Sequence, residues 1–327
     1  MEPHTPLVSI ITPSFNQGQF IEETILSVKD QSYKNIEHIV IDGGSPDQTL
    51  EILKKYSSCI SWVSEPDNGQ TDAINKGIKK SRGEIVAYLN SDDLYLPDTI
   101  KTVVDFFNEH PGIDMVYGDI IHVDKQSNYI DTCETGTIDF EKYLTGVVYL
   151  PQPTVFFRRE ILDKIGYFDE KLHLAMDLDY WIRVFLNFQT AYLPITLAKA
   201  RIYPEAKSSA FSQLYLEEKL YILDKTFSDE NQNISFFGSI ERAKKIKNIS
   251  SGFVFFFQGM ECKDRKQLFV AIPNIIKGIG LYPRNLLSPF LLWYLFFILF
   301  GKDFVKKIVP YLPKPDRLDT YEDVKHE

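Results

Sequence analysis

The chain has 327 residues, with 36 Lys and Arg against 45 Asp and Glu, for a net charge of −9. That balance excludes a general nucleic-acid binder, whose affinity rests on a basic face, but it admits an anionic small molecule held through a cation. Hydrophobic residues at 44% and charged residues at 25% fit a globular protein of one large domain or two smaller ones.

The first third alternates strand and helix patterns. Leu7 to Thr12 predicts a strand, broken by Pro13, Ser14, Phe15 and Asn16. Phe20, Ile21, Thr24, Ile25 and Val28 then recur at helical spacing. Strand Ile36 to Ile41 leads into the loop Asp42-Gly43-Gly44-Ser45-Pro46-Asp47, and a helix carries Leu50, Leu53 and Tyr56. Strand Ile60 to Val63 gives way to Glu65-Pro66-Asp67-Asn68-Gly69-Gln70, and a helix runs from about Thr71 to Ser81. Strand Ile85 to Leu89 and a helix from Asp98 to Asn108 complete the alternation. This order implies a parallel sheet with helices on both faces. The first strand is followed by no GxGxxG, and there is no GxxxxGK[ST], which argues against a dehydrogenase-type dinucleotide fold and a P-loop NTPase.

Three successive strands each deliver a carboxylate just past their C-terminal ends. Asp42 follows Ile36 to Ile41, Asp67 follows Ile60 to Val63, and Asp92 and Asp93 follow Ile85 to Leu89. Open α/β sheets bind ligands outside the carboxyl ends of their strands. Adjacent carboxylates repel unless a cation or a proton relieves them, and a hard divalent metal suits such oxygen ligands. Taken alone, Ser91 or Asp92 could equally end a strand or cap the next helix; three acids on one rim is the more informative pattern.

From Ile113 the pattern shifts to shorter strands, including Tyr129 to Thr132 and Gln152 to Arg158. A short helix spans Arg159 to Ile165 and a turn Gly166 to Asp169. Met176 to Leu186 reads as a helix with Leu178, Trp181, Ile182 and Phe185 on one face and Asp177 in its first turn. Ala191 to Leu193 and Leu197 to Ile202 read as late strands. Beyond Tyr203 the alternation stops, and Gln213 to Phe227, Gly238 to Phe257 and Arg265 to Ile279 read as helices. Leu286 to Phe300 carries no charge, has Arg284 before it and Lys302, Lys306 and Lys307 after it. It is shorter than the roughly 20 apolar residues of a spanning helix. The expectation is a segment lying in a membrane interface, against the alternative of a buried packing helix. Cys59, Cys133 and Cys262 show no CxxC spacing, so neither a disulfide framework nor a zinc site is expected. The N-terminal MEPHTPLVSII has no basic stretch before a long apolar one, and no signal peptide is expected.

Ser9 to Asn16 (SIITPSFN), Val40 to Asp47 (VIDGGSPD), Glu65 to Gly77 (EPDNGQTDAINKG), Gly83 to Pro97 and Gln152 to Arg183, in this order, resemble the family 2 glycosyltransferases with the GT-A fold. The resemblance implies an α/β GT-A nucleotide-diphospho-sugar transferase fold, a mostly parallel sheet flanked by helices. It implies a catalytic domain over 1–205; the helical C-terminal region expected over 206–327, with its membrane-contact segment around 286–300, lies outside these motifs and rests on the residue pattern alone. Pro13 and Phe15 match the residues that frame the nucleotide base, with Asn16 beside them in the donor set. Asp42 matches the acid that hydrogen-bonds the base, and Asp67 the acid facing the phosphate region. Asp93 matches the metal-binding acid of the DxD-like signature, and Asp92 its neighbour serving ribose or metal. Gln70, Asp72 and Asn75 match a sub-pattern of bacterial members that build cell-surface polysaccharides, and join the donor-binding set. Asp177 matches the catalytic base, with Trp181 and Arg183 on the same helix. Two positions depart from the pattern: Asn90 stands where many members have an acid, and Met176 where they have a glutamate.

The resemblance therefore implies an inverting transferase using Mn²⁺ or Mg²⁺. Its donor would be a nucleotide-sugar, UDP-linked first of all, and its acceptor a glycan or lipid-linked glycan, at the cytoplasmic face of the cell membrane. Gln152 and His173 are weaker acceptor-side candidates, and Lys76 and Arg82 weaker phosphate contacts. The competing readings are a catalytically inactive sugar-nucleotide-binding partner of an assembly complex and a nucleotidyltransferase. The latter would want a Gly-rich basic loop after the first strand, and Pro13 to Asn16 is not one.

Overall fold

Apolar, β-branched runs form the strands, and the amphipathic stretches between them form the helices. The computed structural model describes residues 4–146, 148–205, 207, 213–260 and 268–282. In chain order the elements are β1 (Val8–Ser14), α1 (Ile21–Lys29), β2 (Ile36–Asp42), α2 (Thr49–Lys55), β3 (Ser61–Ser64), α3 (Gln70–Lys80) and β4 (Ile85–Tyr88). Then come β5 (Leu94–Tyr95), α4 (Thr99–Glu109), β6 (Met115–Val123), β7 (Tyr129–Cys133), α5 (Phe140–Thr145), β8 (Phe156–Arg158), α6 (Glu160–Ile165), α7 (Met176–Asn187) and β9 (Thr190–Arg201). Four further helices follow: α8 (Gln213–Thr226), α9 (Glu230–Phe237), α10 (Ile240–Met260) and α11 (Leu268–Leu281).

The strands form one sheet in the order β3-β2-β1-β4-β8-β6-β9-β5, with β7 paired to β6. β3, β2, β1 and β4 are parallel, so their C-terminal ends share a rim. β8 runs antiparallel to both β4 and β6, β9 runs parallel to β6, and β5 runs antiparallel to β9. β1 and β4 are buried along their whole length, as central strands covered on both faces must be. α3 packs against β1 at Gly77, where a Cβ would overlap the Ile11 side chain.

Several elements differ from the sequence expectation. Gln152 to Thr154 is a single 3₁₀ turn that precedes β8, because Pro153 cannot donate to a ladder. The two expected late strands are one, β9; its pairing with β6 shifts register between Tyr117 and Asp119, opposite the stretch containing Pro194. A bulge accommodates a residue that lacks the N–H a regular ladder needs. The short β5, α5 and α9 carry too little periodicity to be read from sequence.

The chain divides into two compact units, Met1–Ile138 with Tyr149–Ala210, and Asp139–Val148 with Phe211–Glu327. The second contains α5 as well as the late helices. There, Asp139 caps α5 by accepting from the Lys142 N–H, and Asp229 caps α9. Phe140 packs edge-on to Phe236 at 4.8 Å between ring centroids. Glu141 pairs with Arg242 at 2.6 Å. Among the described residues no helix is long and apolar enough to cross a membrane. The expected interface segment 286–300 lies outside the described residues.

Next to β1, the buried His38 ring on β2 bonds Thr12 through Nε2 at 2.9 Å. Burial pushes its pKa down from 6.5 to about 4. Between those values the unfolded chain binds a proton that the folded chain refuses, so stability falls as pH drops from about 6.5 to about 4. At roughly 1.4 kcal/mol per pH unit, this one ring removes about 3 kcal/mol across that window. Urea unfolding at pH 7.5 and 4.5 checks it: His38→Gln is expected to lose about that much less than the wild type on acidification.

Candidate active site

β2 delivers Asp42 to the shared rim fully buried. Its Oδ2 accepts from the Gly44 and Ser45 N–H groups at 3.1 and 2.9 Å and from the Ser64 hydroxyl at 2.6 Å. Its Oδ1 accepts from the Ser45 hydroxyl at 2.5 Å. Ser45 Oγ in turn accepts from the Asn16 N–H at 2.8 Å. Asp42 thus orders the loop after β1 by way of Ser45. That loop holds Asn16 in the left-handed region at φ 56° and presents Phe15 with 57% of its surface exposed. Pro13, inside β1, is buried. Asp67, past β3, is half-buried; its Oδ1 accepts from the Gly69 N–H at 2.8 Å, and its carboxylate lies so near Gly43 that a Cβ there would meet it.

Past β4 the chain turns at Asn90-Ser91-Asp92-Asp93, and neighbouring elements brace that turn. From α1, the Thr24 hydroxyl reaches the carbonyls of Ser91 and Asp93, each at 2.9 Å. From β9, the Arg201 N–H donates to Asp93 Oδ1 at 3.2 Å and its Nε to the Asp92 carbonyl at 3.2 Å. Asn90 Nδ2 donates to Asp93 Oδ2 at 3.2 Å. Asp93 is therefore buried with both oxygens engaged, whereas Asp92 is half-exposed and bonds the Tyr203 hydroxyl through Oδ2 at 2.8 Å. Burial, then repulsion from Asp92, raises Asp93 well above the usual carboxylate range. Burial also raises Asp92, opposed by the Tyr203 hydrogen bond. The buried Arg201 guanidinium is spent on Glu23 at 3.0 Å and on the 124–127 turn.

α3 connects this turn to the 168–172 turn that precedes α7. At its first residue, Gln70 Nε2 donates to Asn90 Oδ1 at 2.7 Å. Two residues on, Asp72 accepts from the Asn68 N–H at 2.9 Å and pairs with Lys76 at 3.2 Å. Asn75, 2% exposed, holds the peptide of Phe168 by both ends: Oδ1 accepts from its N–H at 3.1 Å and Nδ2 donates to its carbonyl at 2.9 Å. The Thr71 hydroxyl donates to the Leu172 carbonyl at 2.6 Å. The 168–172 turn so gripped leads into α7. Asp177 lies half-buried in the first turn of α7, where the positive end of the helix dipole favours a carboxylate. Arg183 locks the other side, pairing with the buried Asp179 at 2.9 Å and donating to the carbonyls of Ile165 and Tyr167.

Asp92 and Asp93 are the residues that fit a divalent cation. They are adjacent oxygen donors whose charged forms are opposed by burial, and in Asp93 also by repulsion from Asp92, with the Arg201 charge a smaller opposing influence. Among the described residues no cluster of three or more His, Cys, Asp or Glu is arranged to hold a metal. A cation here would take its remaining ligands from substrate phosphates and water, as Mg²⁺ commonly does.

Against the sequence expectations, the rim brings Phe15, Asn16, Asp42, Asp67 and the Asp92–Asp93 pair to the C-terminal ends of the parallel strands. Two of the expected donor-binding residues face inward: Asn75 is buried with its amide bonded to Phe168, and Asp72 accepts from the Asn68 N–H and pairs with Lys76. Within the acidic pair the more open member is Asp92, not Asp93. Trp181 is a core residue, 1% exposed and edge-on to Phe168. Gln152 joins the site by accepting from Asn90 Nδ2 at 3.1 Å. His173 and Arg82 are exposed, and Lys76 is bound to Asp72 and Glu65. Arg201 and Tyr203 were not anticipated, because a single basic or aromatic residue at the end of a strand carries no motif.

A family model for glycosyl transferase family 2 matches residues 9–166. An uncharacterized glycosyltransferase of Rickettsia typhi is 32% identical over 232 residues, covering 67% of this chain and 71% of the relative. Among solved structures, S. aureus TarS 1–349 in complex with UDP-GlcNAc superposes with a TM-score of 0.65 at 20% identity, covering 93% of this chain and 92% of that one. The Pyrobaculum calidifontis mannosyltransferase PcManGT, in complex with GDP-Man and Mn²⁺, gives 0.54 at 16% identity, covering 94% and 87%. At these identities the structures carry the fold, which is GT-A.

The Asn75 clamp has a measurable consequence. Asn75→Ala leaves the buried Phe168 N–H and carbonyl without partners, each costing roughly 1–3 kcal/mol. Urea unfolding is expected to show a loss of about 2–4 kcal/mol, far more than a typical exposed substitution.

Proposed function

The chain belongs to the family 2 glycosyltransferases, and from that membership we propose an inverting, metal-dependent enzyme that builds a surface polysaccharide. It takes a sugar from a nucleotide-sugar donor and adds it to a glycan or lipid-linked glycan. The observation that carries this reading is the acidic turn at the ends of the parallel strands, joined through α3 to the turn that precedes Asp177. TarS is solved with UDP-GlcNAc and with UDP, which supports a UDP-linked donor.

In the proposed reaction the exposed Phe15 ring stacks on the nucleotide base, and Asn16, Asp42, Asp67 and Gln70 shape the pocket around it. Asp92 and Asp93 would hold a divalent cation, which would supply Lewis-acid neutralisation of the departing diphosphate. The acceptor hydroxyl attacks the anomeric carbon as the bond from that carbon to the β-phosphate oxygen breaks. Asp177 takes the hydroxyl proton, and a nucleoside diphosphate leaves. One displacement from the opposite face inverts the anomeric centre. Residues 1–205 are the catalytic part, and 206–327 a helical extension. The apolar, basic-flanked stretch 286–300 keeps the enzyme at the cytoplasmic face of the membrane; fractionation of cells expressing the chain with and without 286–327 checks this, and only the full chain is expected to sediment with membranes.

The central test pairs binding with turnover. UDP, GDP and dTDP, each with and without Mn²⁺, are added to wild type and Asp92→Ala while thermal unfolding is followed. UDP with Mn²⁺ is expected to stabilise the wild type alone, by about 2.7 kcal/mol at 100 times the dissociation constant. Asp177→Asn is expected to keep that shift and to lose about 10²–10⁴-fold in transfer rate. Wild-type turnover in Asp177→Asn would remove it from the role of base.

A further inference from the structure

Asn90 occupies the position where many members of the family carry an acid, and its surroundings explain the exchange. It sits in the middle of a polar chain whose direction is set at both ends. At one end Gln152 Nε2 donates to the Tyr88 carbonyl at 2.7 Å, and a backbone carbonyl can only accept. Gln152 must therefore turn Oε1 toward Asn90, and Asn90 must answer with its NH₂, at 3.1 Å. That NH₂ reaches Asp93 Oδ2 with its other hydrogen at 3.2 Å. The Asn90 oxygen is left to accept from Gln70 Nε2 at 2.7 Å. Gln70 then turns Oε1 outward, where it accepts from Lys207 Nζ at 2.8 Å, and an ammonium can only donate. Every amide in the chain has each end matched to a group of the right kind.

We propose that Asn90 is a positioning residue whose carboxamide, oriented by this chain, fixes the second oxygen of Asp93 and thereby the acidic turn, and that the site requires an amide there and not a carboxylate. The proposal rests on reading that turn as the donor and cation site. A carboxylate at position 90 keeps the bond from Gln70 and loses the other two. Its second oxygen would face two acceptors, Gln152 Oε1 and Asp93 Oδ2, with no hydrogen to offer either. Gln152 could relieve its side only by releasing the Tyr88 carbonyl. The opposing reading, that Asn90 is a weakened form of a family acid, makes the reverse forecast: restoring the acid would leave the fold unchanged and match or improve cation binding.

Asn90→Asp and the reciprocal pair Asn90→Asp with Asp93→Asn decide between them. The pair swaps acid and amide and restores one donor between positions 90 and 93. Both variants and wild type, as the full chain, are unfolded in urea and titrated calorimetrically with UDP in the presence of MnCl₂. Asn90→Asp is expected to raise the unfolding equilibrium constant at least about tenfold, since it leaves the part-buried Gln152 and Asp93 oxygens without a donor, and to weaken UDP–Mn²⁺ binding by about tenfold or more. The swapped pair is expected to regain much of the lost stability and none of the binding, since Asp93 is gone. Wild-type stability in Asn90→Asp, or no recovery in the swapped pair, would overturn the proposal. If wild type itself does not bind UDP with Mn²⁺, the donor assignment fails while the unfolding data still judge the amide.

Discussion

Two neighbouring carboxylates in a partly buried turn repel each other and resent the loss of water, and the structure around Asn90 to Asp93 is built against that tension. Each donor that meets the turn comes from a different element. α1 supplies the Thr24 hydroxyl, β9 the Arg201 N–H and guanidinium, the residue two beyond Arg201 the Tyr203 hydroxyl, and the turn itself the Asn90 amide. A buried carboxylate is tolerable only when its lone pairs are met. The register that places β9 beside β6 is therefore not only a matter of core packing: Val123 pairs with Arg201, and this brings the Arg201 backbone to the acid.

α3 extends the same logic along the rim. Its first residue meets the acidic turn, its second holds Leu172, and its sixth holds Phe168. One short helix thus sets the spacing between the residues proposed for the donor and the helix that carries Asp177. Its own seat on the sheet is fixed by Gly77 against Ile11, so a shift of α3 would disturb both halves together.

Much of this was legible in the chain because strand ends announce themselves. An apolar run that stops at an acid is visible without a fold, and three in succession implied a common rim once a parallel sheet was expected. Tasks were less legible than places. Asp72 and Asn75 lie in a recognisable run, yet spacing on a helix says which face a residue occupies and not what meets it. The partner of Asn75 is 93 residues away in sequence, and only the packed turn shows that its amide is consumed. Arg201 was unreadable for a related reason: its backbone and side chain serve the acidic turn together, and neither role leaves a pattern. That Asp93 is buried and Asp92 more open was also not legible, because burial differs between adjacent residues of one turn and sequence alone does not resolve it.

The placement of Arg201 bears on why a mobile cation suits this site. A guanidinium stacked 4.5 Å from the Phe20 ring and wrapped by Glu23, backbone carbonyls and Ser127 is a permanent positive charge. Its hydrogen bonds to the acidic turn run through the Asp92 carbonyl and its own N–H, and its charge offsets the two acids only in part, since burial still raises both. Three carboxylates, Glu23, Asp92 and Asp93, then share one fixed cation. The surplus charge lies at the more open acid, Asp92. A site of this kind repels a diphosphate that arrives alone and welcomes one that brings a divalent ion, because the ion answers both partners at once. In the proposed function, cation and donor would then bind as a unit, each favouring the other, and that coupling would let a chain of net charge −9 recognise an anionic substrate.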